Sequence, residues 1–190
     1  MTTELQTVLN QPVDIVASRL LGSILERQID GKSIRVRIVE TEAYSQTDTA
    51  SHSFTGRTHR TEVMFGPSGY LYVYFTYGMH YCCNVVTGGE GEGSAVLIRA
   101  VEPIEGEEHM SALRSKEGKE LSNGPAKLCQ ALAIDKQFNG HDLQKKPLTL
   151  QLQEPLEDSQ VTQTTRIGIA KAIDVPWRFY ITGNKYVSRF

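Results

Sequence analysis

The residues best suited to chemistry lie in three stretches. The first is Glu40-Thr41-Glu42-Ala43-Tyr44, at the end of a segment, Ser33 to Tyr44, that alternates as a strand with Ile34, Val36 and Ile38 on one side. Period-2 alternation sends Glu42 to that same apolar side. A carboxylate in a core-facing register is costly unless it is partnered or used. If used, it suits a general base that activates water. A strand that ends or bulges by Glu40 would instead leave Glu42 exposed at the rim, and the residues alone leave both arrangements open.

The second stretch, Tyr70 to Tyr81, holds five tyrosines, one phenylalanine and one histidine. Core strands use tyrosine sparingly because its hydroxyl needs a partner. So many amphipathic rings beside a turn point to a stacking surface of the kind that binds nucleobases. Most of them also fit a half-buried aromatic sheet face. Tyr77, just before Gly78, is the exception, because a large ring at an exposed turn is wasted unless it inserts into something. The third group is Asn84, sharing parity with His80 and Cys82, and Arg99, sharing a strand face with Ala95, Leu97 and Val101. Taken singly, each fits a buried side chain that only satisfies its neighbours.

Other chemistries find less support. His80 and Cys82 would point to one side, with His52 as a third candidate ligand, but no His or Cys pair has metal-ligand spacing, so no metal is expected. No nucleophile elbow, phosphate loop or dinucleotide fingerprint is present. Gly88 to Gly93 is glycine-rich, but Glu90 and Glu92 make it a poor phosphate cradle.

The elements that must position these residues follow from periodicity. Gln11 to Glu26 opens with Pro12 and places Val13, Val16, Leu20 and Ile24 on one face, which predicts an amphipathic helix. Asp30-Gly31 turns into the Ser33–Tyr44 strand. A polar loop runs from Ser45 to about Glu62. Tyr70–Tyr77 and His80–Thr87 read as a β-hairpin, followed by a strand over Ser94–Val101. Shorter helices are predicted near Glu105–Lys116 and Pro125–Ile134, and short strands over Thr164–Phe190. The expected fold is α+β: a single mixed α/β domain spanning residues 1–190, with a mostly antiparallel curved sheet, surrounding helices and a protruding β-hairpin. About the first ten residues are expected to form a flexible lead.

The composition, 39% hydrophobic and 22% charged, is that of a globular protein, and no apolar run approaches the ~20 residues that span a bilayer. The first residues lack a signal-peptide pattern, and Cys82, Cys83 and Cys129 form no disulfide framework, so a cytoplasmic location is expected. The net charge of -2 and pI near 6.2 are unusual for a protein that grips nucleic acid. The distribution is less hostile than the sum. Arg166, Lys171, Arg178, Lys185 and Arg189 face only Asp174 in the last segment, His52–Arg60 is basic, and acids collect at Glu102, Glu105, Glu107 and Glu108.

Seven blocks in order resemble the alkyladenine (3-methyladenine) DNA glycosylase family. They are Glu40-Thr41-Glu42-Ala43-Tyr44, Ala50-Ser51-His52-Ser53, Leu71-Tyr72-Val73-Tyr74-Phe75-Thr76-Tyr77-Gly78-Met79, Asn84-Val85, Leu97-Ile98-Arg99-Ala100-Val101-Glu102-Pro103, Gly124-Pro125-Ala126-Lys127-Leu128-Cys129-Gln130-Ala131-Leu132 and Arg166-Ile167-Gly168. The match runs from about Val13 to the C-terminus. The resemblance implies a monofunctional base-excision-repair enzyme that flips alkylated or deaminated purines (3-methyladenine, 7-methylguanine or hypoxanthine) out of double-stranded DNA and hydrolyses the N-glycosidic bond. It further implies that the enzyme acts as a monomer, without cofactor, metal or covalent intermediate.

By the same resemblance Glu42 is the general base, and Arg99 helps hold the catalytic water and the DNA backbone. Tyr44, His52 and Tyr74 sandwich the flipped base, and Asn84 obstructs the 2-amino group of guanine. Tyr77 is the wedge into the duplex, with Met79, Arg57 and Arg60 also on the DNA-binding side. Two departures stand out: Thr58-His59-Arg60-Thr61 where relatives carry Thr-Pro-Arg-Asn, and Cys83 where methionine is usual. Two rival readings use the same residues: a non-catalytic reader of modified bases in nucleic acid, and a metal-dependent hydrolase built on His52, His80 and Cys82.

Overall fold

Strand β2, Lys32–Tyr44, is the element on which the rest of the sheet is built. In the computed structural model, which describes residues 3–188, β2 pairs along one edge with β5, Ala95–Glu105. Its other edge changes partner. The first half pairs with β1, Ile24–Ile29, and Glu40 to Glu42 pair with β9, Arg178–Ile181. Beyond β5 lies the hairpin of β3, Tyr70–Thr76, and β4, His80–Val86. Two short strands, β6 (His141–Asp142) and β7 (Leu148–Gln151), complete an order of β6-β3-β4-β5-β2-β1-β7, and β8 (Val161–Thr164) pairs with β9. Every one of these pairings is antiparallel. With few helices around this curled sheet, the fold is α+β.

The helices are α1 (Glu4–Leu9), α2 (Val13–Arg19), α3 (Glu107–Arg114) and α4 (Pro125–Ala131). Leu9, Val16, Leu20, Met110 and Leu128 pack with Ile34, Val36, Ile38, Leu71, Val85, Val96 and Ile98 in one buried core. Each fully buried aliphatic side chain contributes ~1.5–3 kcal/mol. The expected Gln11–Glu26 helix is shorter than its periodicity suggests. Gly22, at φ +83°, turns the chain after α2, and Ile24 begins β1. Val13, Val16, Leu20 and Ile24 are all buried, but Ile24 reaches the interior from a strand, whose pattern over so few residues helical spacing can mimic. In the last segment the short strands reduce to β9, with β8 just before it. Phe190 and Arg189 lie outside the described residues. Among the described residues, no helix is long and apolar enough to cross a membrane.

The loop that carries His52 is moored at Gly93. Ser53 Oγ donates to the Gly93 carbonyl, and Gly93 N–H donates to Gln46 Oε1 at 3.0 Å. A Cβ at Gly93 would sit 2.6 Å from the Phe65 ring and 2.7 Å from Ser53 Cβ. Gly93→Ala is therefore expected to lower stability by ~1–3 kcal/mol, the usual cost of overpacking. Chemical denaturation measures this, and an unchanged midpoint would show that the loop shifts freely.

Candidate active site

A β-bulge decides where Glu42 points. Ile38 pairs with Val101 and Glu40 with Ala100, which leaves Val39 as an extra residue on β2. Thr41 then pairs with Ile98, so Arg99 is the compensating extra residue on β5. Ile34, Val36 and Ile38 share the main core with Ala43, while Val39 and Ala100 pack with Tyr186 elsewhere. Thr41 Oγ1 donates to the Ala17 carbonyl of α2 at 2.7 Å, from the core side. Alternation through the bulge therefore puts Glu40 and Glu42 on the opposite face from Ile34. Of the two arrangements the residues leave open, the strand does bulge beside Glu40 and takes Glu42 off the core face, but the side chain is buried and not exposed at a rim. The same shift separates Arg99 from Val101, with which uninterrupted alternation would group it.

The register then lines up one rung across five strands. Tyr72 is opposite Asn84, Asn84 opposite Leu97, Leu97 opposite Glu42, and Glu42 opposite Arg178. Opposed residues share a face, so side chains more than 100 positions apart meet at roughly 4.8 Å intervals. A neighbouring rung pairs Tyr74 with Cys82. Of these residues Tyr72, Tyr74, Cys82, Asn84 and Leu97 floor a cleft of about 630 Å³, whose lining also includes Tyr44, His52, Arg60 and Arg99.

Glu42 lies beneath this floor with 0% of its surface exposed. Its Oε2 accepts from the Tyr44 hydroxyl at 2.8 Å, and its Oε1 accepts from Ile167 N–H at 2.7 Å and pairs with Arg99 Nη1 at 3.3 Å. Arg99 is turned inward. Its Nε donates to Glu40 Oε1 at 3.1 Å and its Nη2 reaches Ser188 Oγ at 3.4 Å. Burial pulls the Arg99 pKa down, but Glu42 and Glu40 outweigh it and hold the guanidinium above its ordinary value. Burial, then the neighbouring Glu42 charge, raises Tyr44, so it remains a hydroxyl donor.

The aromatic walls come from alternation in β3. Leu71 and Val73 enter the main core, and Tyr72 and Tyr74 face the cleft. The His52 and Tyr74 rings meet edge to face, with centroids 4.6 Å apart, and His52 Nδ1 lies 3.1 Å from the Tyr72 hydroxyl. That contact is too close to admit a base between His52 and Tyr74. Burial of its packed side, and then the Arg60 cation, lower the His52 pKa, which favours neutral imidazole. Burial, followed by the Cys82 thiol, raises Tyr74, and burial pushes Cys82 up to about 11, so both stay protonated near neutral pH. Asn84 Nδ2 donates to the Tyr72 carbonyl at 3.1 Å, fixing its amide at the floor.

At the hairpin tip Tyr77 and Gly78 both have left-handed φ, +50° and +68°. Tyr77 is 85% exposed, and Met79 and Phe75 flank it in the open. Arg57 is exposed on the polar loop. Arg60 reaches back, its guanidinium 5.8 Å from the Tyr74 ring and its Nη2 3.5 Å from His52 Nε2. The departure at Thr58–Thr61 closes on itself, because Thr58 Oγ1 and Thr61 Oγ1 lie 3.0 Å apart and Thr61 Oγ1 donates to the Gly56 carbonyl. Cys83 packs in the main core. His80 Nδ1 lies 3.3 Å from Gln130 Nε2, and among the described residues no group of three His, Cys, Asp or Glu is placed to hold a metal ion.

Three residues at the site were not singled out from sequence. Glu40 bridges Arg99 and Arg178, Ile167 gives its N–H to Glu42, and Arg166 sits over the Tyr44 ring at 4.7 Å while pairing with Asp48. As site residues, their sequence signal is membership of the Glu40–Tyr44 and Arg166–Gly168 blocks. Arg166 and Arg178 are buried, so in the C-terminal stretch only Lys171 and Lys185, among the described residues, add exposed basic charge. The acids are displaced in turn. Glu105 is eight residues along β5 from Leu97, about 26 Å at ~3.3 Å per residue.

Comparison with known proteins gives a consistent result. A family model described as methylpurine-DNA glycosylase matches residues 7–185. A protein of Carboxydothermus hydrogenoformans is 54% identical over 177 residues, covering 92% of this chain and 93% of its own. One from Methanoculleus marisnigri is 48% identical over 180 residues, covering 92% of each. One from Francisella tularensis is 46% identical over 189 residues, covering 97% and 98%. Each carries the name "Putative 3-methyladenine DNA glycosylase".

Proposed function

Because the chain belongs to the methylpurine-DNA glycosylase family, and is thus a DNA repair hydrolase of N-glycosyl bonds, we propose that it removes alkylated or deaminated purines flipped out of duplex DNA, using water activated by Glu42. The observation that carries this reading is a buried carboxylate, held by Tyr44, Arg99 and the Ile167 N–H, under the floor of a cleft with aromatic walls and an exposed tyrosine nearby.

Extruding a base costs a few kcal/mol, less for a damaged or mispaired one. Tyr77 offsets part of that cost by filling the gap in the duplex. The strain of a bulky residue at left-handed φ, of order 1–3 kcal/mol, accords with a side chain held out for use. The extruded purine lies between Tyr44 and the joined His52–Tyr74 pair, since those two rings leave no slot between them. Each ring contact returns ~1–3 kcal/mol, and a cationic methylated base gains a further ~0.5–2 kcal/mol from the ring faces. The Asn84 amide obstructs the 2-amino group of guanine.

Alkylation already makes the purine a good leaving group, so the enzyme's task is to deliver water. Glu42 takes a proton from water attacking the sugar C1′, and its charge stabilises the developing oxocarbenium ion. Hypoxanthine, being neutral, leaves with a proton drawn from solvent. Phosphates of the strand meet Arg57, Arg60 and Lys171, and the enzyme acts as a monomer.

The test is incubation with duplexes that each carry one defined lesion, followed by assay of free base and abasic sites. Release of free base from at least one purine lesion, without strand cleavage, is expected. Tight binding with no release from any lesion would favour a non-catalytic reader. Tyr77→Ala is expected to weaken binding to a duplex containing an abasic analogue about tenfold, in line with one lost stacking contact. Fluorescence anisotropy checks this, and equal affinity would remove Tyr77 from the wedge role.

A further inference from the structure

A chain of alternating charges continues past Glu42, away from the cleft. Arg99 Nε donates to Glu40 Oε1 at 3.1 Å, and Arg178 Nε donates to the same oxygen at 2.7 Å. Ser188 closes the far side, its N–H on Glu40 Oε2 at 2.6 Å and its hydroxyl on Oε1 at 2.8 Å. Glu40 has no exposed surface, and the Arg99 and Arg178 side chains are 8% and 1% exposed. Glu40 owes its place to the bulge, which turns it and Glu42, two residues apart on the strand, away from the face of Ile34, Val36 and Ile38.

We propose that Glu40 is a positioning residue for the reaction: by engaging Arg99 from behind, it fixes the guanidinium against Glu42 and balances its charge, so that Glu42 stays basic enough to take a proton from water. This rests on Glu42 being the base. A lone arginine at 3.3 Å would hold the Glu42 charge to itself and make it a poorer proton acceptor. With Glu40 present the one guanidinium is shared between two carboxylates.

Other polar and charged groups surround Glu42 from each neighbouring element. On its own strand is the Tyr44 hydroxyl, from β5 comes Arg99, and from β9 comes Arg178, its partner in register. The loop after β8 supplies the Ile167 N–H. Behind Tyr44 lies Arg166, already paired with Asp48. Among these groups Glu40, Glu42 and Asp48 oppose Arg99, Arg166 and Arg178, so removing one charge tips the cluster. Loss of Glu40 makes it more positive, and loss of Arg178 makes it more negative.

The experiment is single-turnover excision from a duplex with one 7-methylguanine, a cationic lesion that needs no proton to leave, across a pH series. Glu40→Gln should lower the single-turnover rate constant roughly tenfold with the half-saturating enzyme concentration nearly unchanged, and move the acid limb of the pH–rate profile down by about one pH unit. Arg178→Met should move that limb up. Packing damage common to both variants cannot produce opposite shifts. If Glu40→Gln does not fold, the direction of the Arg178→Met limb decides the matter by itself. Unmoved limbs, or shifts of the same sign, overturn the proposal. Wild-type excision together with the loss of excision in Glu42→Gln tests the underlying function separately, so a failure of one is not mistaken for a failure of the other.

Discussion

Glu42→Gln is expected to reduce release of free base by ~10²–10⁴-fold, the range that a positioned general base contributes. The amide matches the carboxylate in shape, so its oxygen can still accept from Ile167 N–H, now 2.7 Å away. Arg99 keeps Glu40 as a partner at 3.1 Å, so the variant should fold. Because Glu42 lies beneath the cleft floor and contributes no exposed surface, affinity for a lesion duplex should change little. The effect should therefore fall on kcat and leave binding almost intact, the pattern of a group that works in the transition state. Single-turnover release and anisotropy on the same preparation measure both. Wild-type release would sink the assignment, and a parallel loss of binding would point to collapse of the floor.

Arg166→Met should produce the largest loss of stability. The guanidinium is buried, pairs with Asp48, donates to the Ala43 carbonyl at 2.9 Å, and lies over the Tyr44 and Trp177 rings at 4.7 and 5.5 Å. Methionine fills part of the volume but leaves Asp48 buried without its cation. Removing one partner of a buried pair costs ~3–5 kcal/mol, which for a chain of this size lowers Tm by about 10 °C. Asp48→Asn should cost less, since it keeps a polar acceptor beside Arg166. Calorimetry of the two variants settles the point. A fall of under about 2 °C for Arg166→Met would mean that the cation is dispensable. Because Arg166 backs Tyr44 and is followed by Ile167, the variant should also loosen two of the contacts that hold Glu42.

Much of this arrangement is legible in the sequence, because it depends on local pattern. The β2 strand, the hairpin and both later helices follow from residues close in sequence. So does the separation of Tyr77 from the other tyrosines: alternation places Tyr72 and Tyr74 on a sheet face, and Gly78 marks the turn that leaves Tyr77 outside. Three features are not settled by local pattern, for equally physical reasons. The Val13, Val16, Leu20, Ile24 spacing fits a helix, yet α2 stops at Arg19, the chain turns at Gly22, and Ile24 belongs to a strand. Arg166 and Arg178 count as positive charge in a sum over the sequence, but burial and pairing take them off the surface. Period-2 counting carries Glu42 into the core, because a one-residue bulge leaves no clear mark in the residue types around Val39.

The family, the α+β class and the short blocks that bear the carboxylates, rings and amides of the candidate site are thus written in residue order, because all are properties of adjacent or regularly spaced residues. The three-dimensional fold turns Glu42 away from the main core and sets Glu40 behind Arg99. It alone showed that Tyr72, Asn84, Leu97, Glu42 and Arg178 share one rung. The reason is cumulative register: each strand pairing and each bulge adds an offset, and the face presented by a side chain depends on their sum across distant segments, which no local pattern records.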